Sequence, residues 1–168
     1  MTAVVTSAGI VLYRPAAAPV ARGAADPEID TEVFVAHMGG PFWRRRPRAW
    51  SFPKGEYLDE TPLDAARREF HEEIGVPAPD VPYVELGTFR QASGKRVTLF
   101  AGASDLVVET VRSTTFLVEL PRGSGRMVSF PEVDDARWTS VATARTDLVA
   151  GQVPALDALL TLLRREEA

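Results

Sequence analysis

Residues 62–74 carry the clearest periodic signal in the chain. At roughly 100° per residue, Leu63, Ala66, Phe70 and Ile74 fall within about 80° of one another and form one apolar stripe. Thr61 is placed to cap the helix. Pro62 then sits at the first helical position, where its missing N–H does no harm, and Asp64 completes a Thr-x-x-Asp version of the capping box. Gly75 supplies the stop.

Elsewhere the pattern is that of short strands. AGIVLY (8–13) is an apolar run and EVFVAHM (32–38) reads as a strand; between them RPAAAPVARGAADPEID has neither helical nor strand period, which predicts a flexible connection at 15–30. GGPFWRRRPR reads as a basic, turn-rich loop, AWSF (49–52) as a short extended segment and PKGEYLDE as another loop. Beyond the helix, strand-like runs recur at 83–91, 95–103 and 114–120, with Ser93-Gly94 as a hairpin turn and DARW (135–138) as one more short strand. A helix is expected over 140–148. The last segment, PALDALLTLLRREE, is amphipathic, with Leu156, Leu159, Leu160 and Leu163 on one side. Strands, one capped helix, more strands and final helices predict a layered α/β fold.

Composition narrows the chemistry. With 168 residues, 45% apolar and 25% charged, the chain is expected to be one globular domain over 1–168. A net charge of −4 gives no general attraction to duplex nucleic acid or anionic membrane, so any basic site must be local. Cysteine is absent, which removes thiolate nucleophiles, Fe–S clusters and cysteine-ligated zinc. His37 and His71 are the only imidazoles. The N-terminal sequence lacks a cationic region followed by a long apolar one, and the expected setting is soluble and cytoplasmic, with no membrane.

Three carboxylates stand out. Glu69, Glu72 and Glu73 span about 100° of the helix surface, away from the apolar stripe. Like charges so close cost a few tenths of a kcal/mol per pair in an isolated helix, about 0.2–0.5. A hard divalent cation, Mg²⁺ or Mn²⁺, would offset that repulsion through oxygen ligands. The alternative is a solvated acidic face.

Context favours the cation. Gly55-Glu-Tyr-Leu-Asp-Glu60, seven residues, then Arg68-Glu69-Phe70-His71-Glu72-Glu73-Ile74-Gly75-Val76 resembles the Nudix box, the signature of hydrolases acting on nucleoside diphosphates linked to another group. Every specified position from Glu60 to Val76 matches. Four residues rather than five separate Gly55 from Glu60, and the missing one is assigned to the loop, since a deletion in the helix would rotate its side chains by about 100°. AGIVLYR, GGPFW, AWSFPKGEY, TPLDAARREF, FPEVDDARW and GQVPALDALL also resemble a bacterial Nudix branch of NTP pyrophosphohydrolases, over most of the chain except the 15–30 stretch.

The resemblance implies an α/β/α sandwich with a mixed β-sheet between helices. It assigns metal binding to Glu69, Glu72 and Glu73, with Gly55 letting the loop approach them, and catalysis to Glu72, Glu69 and Arg68. Arg68 and Glu60 match a family ion pair tying loop to helix. The general base is open between Glu72, Glu119 and Glu132, and His71 is expected at the surface. Lys54 and the basic loop, Arg44, Arg45 and Arg46 with Arg48, are candidate phosphate contacts because guanidinium forks suit phosphate oxygens. Phe42, Trp43 or Phe89 would stack on a base or pack in the core.

The expected function is Mg²⁺- or Mn²⁺-dependent hydrolysis of a phosphoanhydride in a small-molecule nucleoside polyphosphate. The alternatives are a dinucleoside polyphosphate or nucleotide-sugar hydrolase, and a non-catalytic nucleotide-binding module. The sequence leaves open whether the chain pairs with a copy of itself.

Overall fold

Every layer of the fold is arranged about β1 (Thr6–Pro15). The computed structural model describes residues 4–17 and 25–168. The other strands are β2 (Thr31–Met38), β3 (Trp50–Ser51), β4 (Lys54–Glu56), β5 (Val84–Arg90), β6 (Arg96–Ala103), β7 (Thr115–Glu119), β8 (Met127–Pro131) and β9 (Val133–Ser140). The helices are α1 (Pro27–Asp30), α2 (Pro62–Ile74), α3 (Val141–Asp147) and α4 (Val153–Glu167), with a 3₁₀ turn at Ala150–Gln152.

On one edge β1 runs parallel to β6 from Thr6 to Tyr13. Its other edge is divided. Ser7, Ala8 and Gly9 pair antiparallel with β4, while Tyr13, Arg14 and Pro15 pair antiparallel with β2. β9 continues the sheet beyond β2, β3 pairs with Ala36 and His37 on the edge of β2 that also meets β1, and β5 continues it beyond β6; β7 and β8 form a separate two-stranded ribbon. The sheet is therefore mixed.

The apolar runs are continuous because both faces of the sheet are covered. Ala8, Ile10 and Leu12 of β1 pack with Phe34 of β2 against Ala66, Phe70 and Ile74 of α2. The intervening Val11, with Val33, Val35, Val97 and Leu99, packs against Leu156, Leu159 and Leu160 of α4. This is the expected α/β/α arrangement. Ala66, Phe70 and Ile74 are fully buried, and Leu63, at the edge of the same stripe, is partly so.

Several elements differ from the sequence reading. Lys54–Glu56, read as loop, is β4; three residues with no apolar period become a strand because they complete the edge of β1, a tertiary effect that overrides local preference. β8 has no counterpart in the sequence reading, and β9 is twice the length of the DARW segment. The expected flexible connection at 15–30 is ordered at both ends. Pro15 closes β1, and Asp26 caps α1 by accepting from the Glu28 amide at 3.0 Å. Glu28 in turn holds Arg145 of α3 at 2.6–3.0 Å. Residues 18–24 of that stretch lie outside the described residues. Among the described residues, no helix is long and apolar enough to cross a membrane.

One buried polar side chain fixes the segment entering β4. Gln152 is fully buried, accepts from the Phe52 amide at 2.9 Å and donates to Ser51 Oγ at 3.0 Å. Gln152→Met keeps the length and leaves the Phe52 N–H without a partner. The expected cost is about 1–3 kcal/mol, read as a lower urea midpoint. An unchanged midpoint would mean that water replaces the amide.

Candidate active site

α2 begins and ends on the residues that its sequence specifies. Thr61 Oγ1 accepts from the Asp64 amide at 3.2 Å, and Gly75 closes the helix in the left-handed region at φ 92°. The capping box is not reciprocal. Asp64 Oδ2 accepts from the Thr61 hydroxyl at 2.8 Å instead of returning to the Thr61 backbone.

The helix lays its acidic face against β4. A Cβ built on Gly55 would lie 2.0 Å from the Glu69 carboxyl carbon, so glycine here lets that carboxylate rest against the strand backbone. The Lys54 amide donates to Glu73 Oε2 at 3.0 Å. The row of glutamates is thus partly interior rather than a fully solvated face: Glu69 is buried, Glu73 partly buried.

Arg68 threads between the carboxylates. Its Nε donates to Glu60 Oε1 at 2.9 Å, forming the expected loop-to-helix pair. Nη1 donates to Glu69 Oε1 at 2.6 Å and reaches Glu72 at 3.2 Å, while Nη2 also reaches the Glu56 carbonyl at 3.3 Å. These hydrogen bonds, led by Glu60, raise the Arg68 pKa and keep it cationic.

Burial works in the other direction on the acids. Desolvation raises the Glu69 pKa above the ordinary carboxylate value despite the opposing Arg68. The Glu73 pKa is pushed up to about 8, first by desolvation; Lys54 opposes the shift, and the neighbouring Glu69 and Glu132 add to it. Both groups lack positive charge relative to what their burial demands.

Arg68 and Glu60 line a hollow with Tyr57 and Leu58, while the glutamates of α2 open onto a separate cavity of about 570 Å³. Lys54, Gly55, Glu69, Glu72, Glu73 and Glu132 line it together. Trp43 is present as well. The cavity also takes in Glu56, Gln91, Ser93 and Lys95, which the sequence reading missed. Ser93 was legible as a turn residue, but nothing in the local pattern says that the β5–β6 hairpin leans over the acidic face of α2.

Other candidates lie elsewhere. Arg44, Arg45 and Arg46 line a neighbouring hollow of about 680 Å³ with Phe42, Leu120 and Phe130. Arg48 braces the fold, its Nη1 donating to the carbonyls of Arg145 and Leu148 at 3.0 Å. Glu119 accepts from the Gly125 amide at 2.7 Å, and this backbone contact, with Gly123, lowers its pKa. It shapes the β7–β8 turn and does not line the glutamate cavity. Phe89 packs against the α4 cluster, and His71 is exposed. Among the described residues no group of three or more His, Asp or Glu side chains is drawn together tightly enough to hold a metal ion as it stands; Arg68 lies between Glu69 and Glu72 instead.

The NUDIX domain family model matches residues 17–159. The RNA pyrophosphohydrolase of Pseudoalteromonas translucida is 35% identical over 130 residues, covering 67% of this chain and 74% of that protein. That of Pseudomonas paraeruginosa is 34% identical over 117 residues, covering 64% and 72%. Among solved structures, a C. elegans Ap4A hydrolase binary complex superposes with a TM-score of 0.62 at 20% identity, over 96% of this chain and 99% of that one. The NUDIX domain of Shewanella oneidensis NrtR complexed with ADP ribose gives 0.62 at 15% identity, over 97% and 90%. At these identities the structures speak for the fold alone. The matched family model and the curated relatives carry the assignment: this chain belongs to the NUDIX family and is a hydrolase of pyrophosphate bonds.

Proposed function

We propose that the chain hydrolyses a phosphoanhydride bond in a nucleoside polyphosphate, using Mg²⁺ or Mn²⁺ held by Glu69, Glu72 and Glu73 beside the Gly55 main chain. The observation that carries this reading is the pair of desolvated carboxylates, Glu69 and Glu73, facing a cavity of nucleotide size. A hard cation fits such a donor set: all the donors are oxygens, and burial raises Glu69 and Glu73 even with Arg68 and Lys54 beside them. When bound, the cation neutralises phosphate charge and lowers the pKa of a coordinated water molecule.

The protein's own groups supply the rest. Arg68 holds Glu69 and Glu72 in register along the helix and ties them through Glu60 to the loop. The Lys54 amide orients Glu73, while the Lys54 side chain supplies countercharge for the phosphates. Arg44, Arg45 and Arg46 add longer-range attraction from the rim. Of the three candidate bases, Glu72 and Glu132 line the cavity and Glu119 does not. We assign the role to Glu132. It accepts from Thr114 Oγ1 at 3.2 Å and has no cation paired with it among the described residues, which leaves it free to take the proton of the attacking water.

The name of the curated relatives favours a second substrate reading, RNA carrying the same anhydride. A panel of nucleoside triphosphates, dinucleoside polyphosphates, nucleotide-sugars and triphosphate-ended RNA, with products resolved by anion exchange, distinguishes these. Hydrolysis should require Mg²⁺ or Mn²⁺ and stop with EDTA. Glu72→Gln and Glu73→Gln should each lower turnover by roughly 10²-fold or more without lowering the melting temperature. Near-parental turnover in both variants would return the acidic face to a structural role.

Stability should depend on pH with a definite sign. Between about pH 4.5 and 8 the folded protein holds a proton on Glu73 that the unfolded chain has released, so metal-free stability falls as pH rises through that window. Above it the loss is complete. Glu73→Gln should flatten the slope, and Mg²⁺ should raise the melting temperature more at pH 8 than at pH 5. Parallel melting curves for parent and variant from pH 5 to 8 would contradict the assignment.

A further inference from the structure

Ser7 stands in the wall of the glutamate cavity with nothing in the chain to bond to. The residue is 4% exposed, and among the described residues its side chain makes no hydrogen bond, whereas Glu69, buried in the same wall, is held by Arg68. Its hydroxyl is not sealed in. Among the described residues the one unpartnered side-chain nitrogen or oxygen closed off from water belongs to Gln91, so the Ser7 oxygen is reached from the cavity that the residue lines. A hydroxyl so placed takes its partner from whatever fills that space, because a buried polar group left unpaired costs stability.

Strand pairing fixes what shares its side of the sheet. Ser7 stands opposite Glu56 and Gly9 opposite Lys54 across the antiparallel β1–β4 pair, and directly opposed residues point to the same face. The Lys54 stem agrees, since a Cβ on Gly9 would lie 2.7 Å from Lys54 Cβ. Lys95 joins this face by pairing with Glu56 at 2.5 Å, which offsets the charge of that carboxylate. Gly55 and its partner Ala8 point the other way, toward Glu69 and the apolar stripe of α2. β4 therefore divides the lining, with the carboxylates of α2 on one side and Ser7, Lys54 and Lys95 on the other. A neutral donor set between two ammonium groups suits an anion with several oxygens; a cation would be drawn to the acids instead. We propose that Ser7 is a substrate-binding residue whose Oγ–H donates to a non-bridging oxygen of a phosphate lying on the Lys54–Lys95 side of β4, while the carboxylates of α2 face the anhydride from the other side. This rests on the phosphoanhydride reading above but not on turnover.

The test is calorimetry on the full chain with Mg²⁺. The probes are inorganic imidodiphosphate and the β,γ-imido analogue of ATP, whose bridging nitrogen resists hydrolysis, with adenosine as the probe that lacks phosphate. Ser7→Ala should weaken binding of at least one phosphate probe by roughly tenfold or more, the effect of losing a hydrogen bond to a charged group, and leave adenosine within twofold. Salt separates the hydroxyl from the lysines. Because a hydroxyl carries no charge, parent and Ser7→Ala should lose affinity in parallel as salt is raised, whereas Lys54→Ala should flatten the dependence. The melting temperature of Ser7→Ala should equal or exceed the parental value, since no bond within the chain is lost. A lower melting temperature would mark Ser7 as a structural residue and overturn the proposal. So would unchanged affinity for both phosphate probes, an equal loss for adenosine, a flattened salt response in Ser7→Ala, or a parent protein that binds neither phosphate probe. If the phosphate probes respond as expected and no anhydride is hydrolysed, the hydrolase mechanism fails and the Ser7 contact stands. If hydrolysis is found and Ser7→Ala binds like the parent, only the Ser7 contact fails.

Discussion

The close approach of Gly55 to Glu69 is the constraint on which the rest of the site depends. A strand backbone lies against a carboxylate on a helix, and any side chain at residue 55 would displace that carboxylate from its place. That contact makes the acidic face partly interior, takes Glu73 onto a backbone amide and gives Arg68 its place among the acids. It also explains the divided edge of β1. Because β4 takes up Ser7 to Gly9, β2 is confined to the other end of the strand, and Ser7, Lys54, Gly55 and Glu56 at this split line the glutamate cavity.

Keeping β4 at that distance requires support from the far end of the chain. Gln152 holds Ser51 and Phe52 from a turn a hundred residues away, and Val149 donates to the Trp50 carbonyl at 2.9 Å. The same turn backs Gln91. A short connection between α3 and α4 therefore positions both the loop that meets the carboxylates and the hairpin that faces them.

What the sequence made legible follows from the range of the forces involved. The bounds of α2, its cap at Thr61 and its stop at Gly75 are local, and they stand where the pattern puts them. The Glu69–Glu72–Glu73 face follows from helical geometry alone. Its burial does not, because that depends on β4, whose polar residues 54–56 become a strand only by pairing with residues far away in sequence. The inclusion of Gln91 and Lys95, and the diversion of Arg44 to Arg46 into a neighbouring hollow, likewise depend on how loops fold over the sheet. The end of the connection at 26–30 was a different case. Asp26-Pro27 is a local cap-and-start signal, outweighed in the sequence reading by the small residues before it.

The charge lining the cavity bears on the order in which its occupants arrive. Glu56, Glu69, Glu72, Glu73 and Glu132 share the lining with Lys54 and Lys95, Lys95 pairing with Glu56 at 2.5 Å, and even with Glu73 neutral the acids outnumber the lysines by two. Taken alone, these lining charges would repel a bare polyphosphate over about 8–10 Å, the screening length at physiological salt. One whose charge is already compensated would not be repelled. On the proposed function, the cavity lining would then discriminate by the ionic form of the nucleotide, admitting a preformed cation complex more readily than the bare anion, with Arg44 to Arg46 in the neighbouring hollow as the opposing attraction.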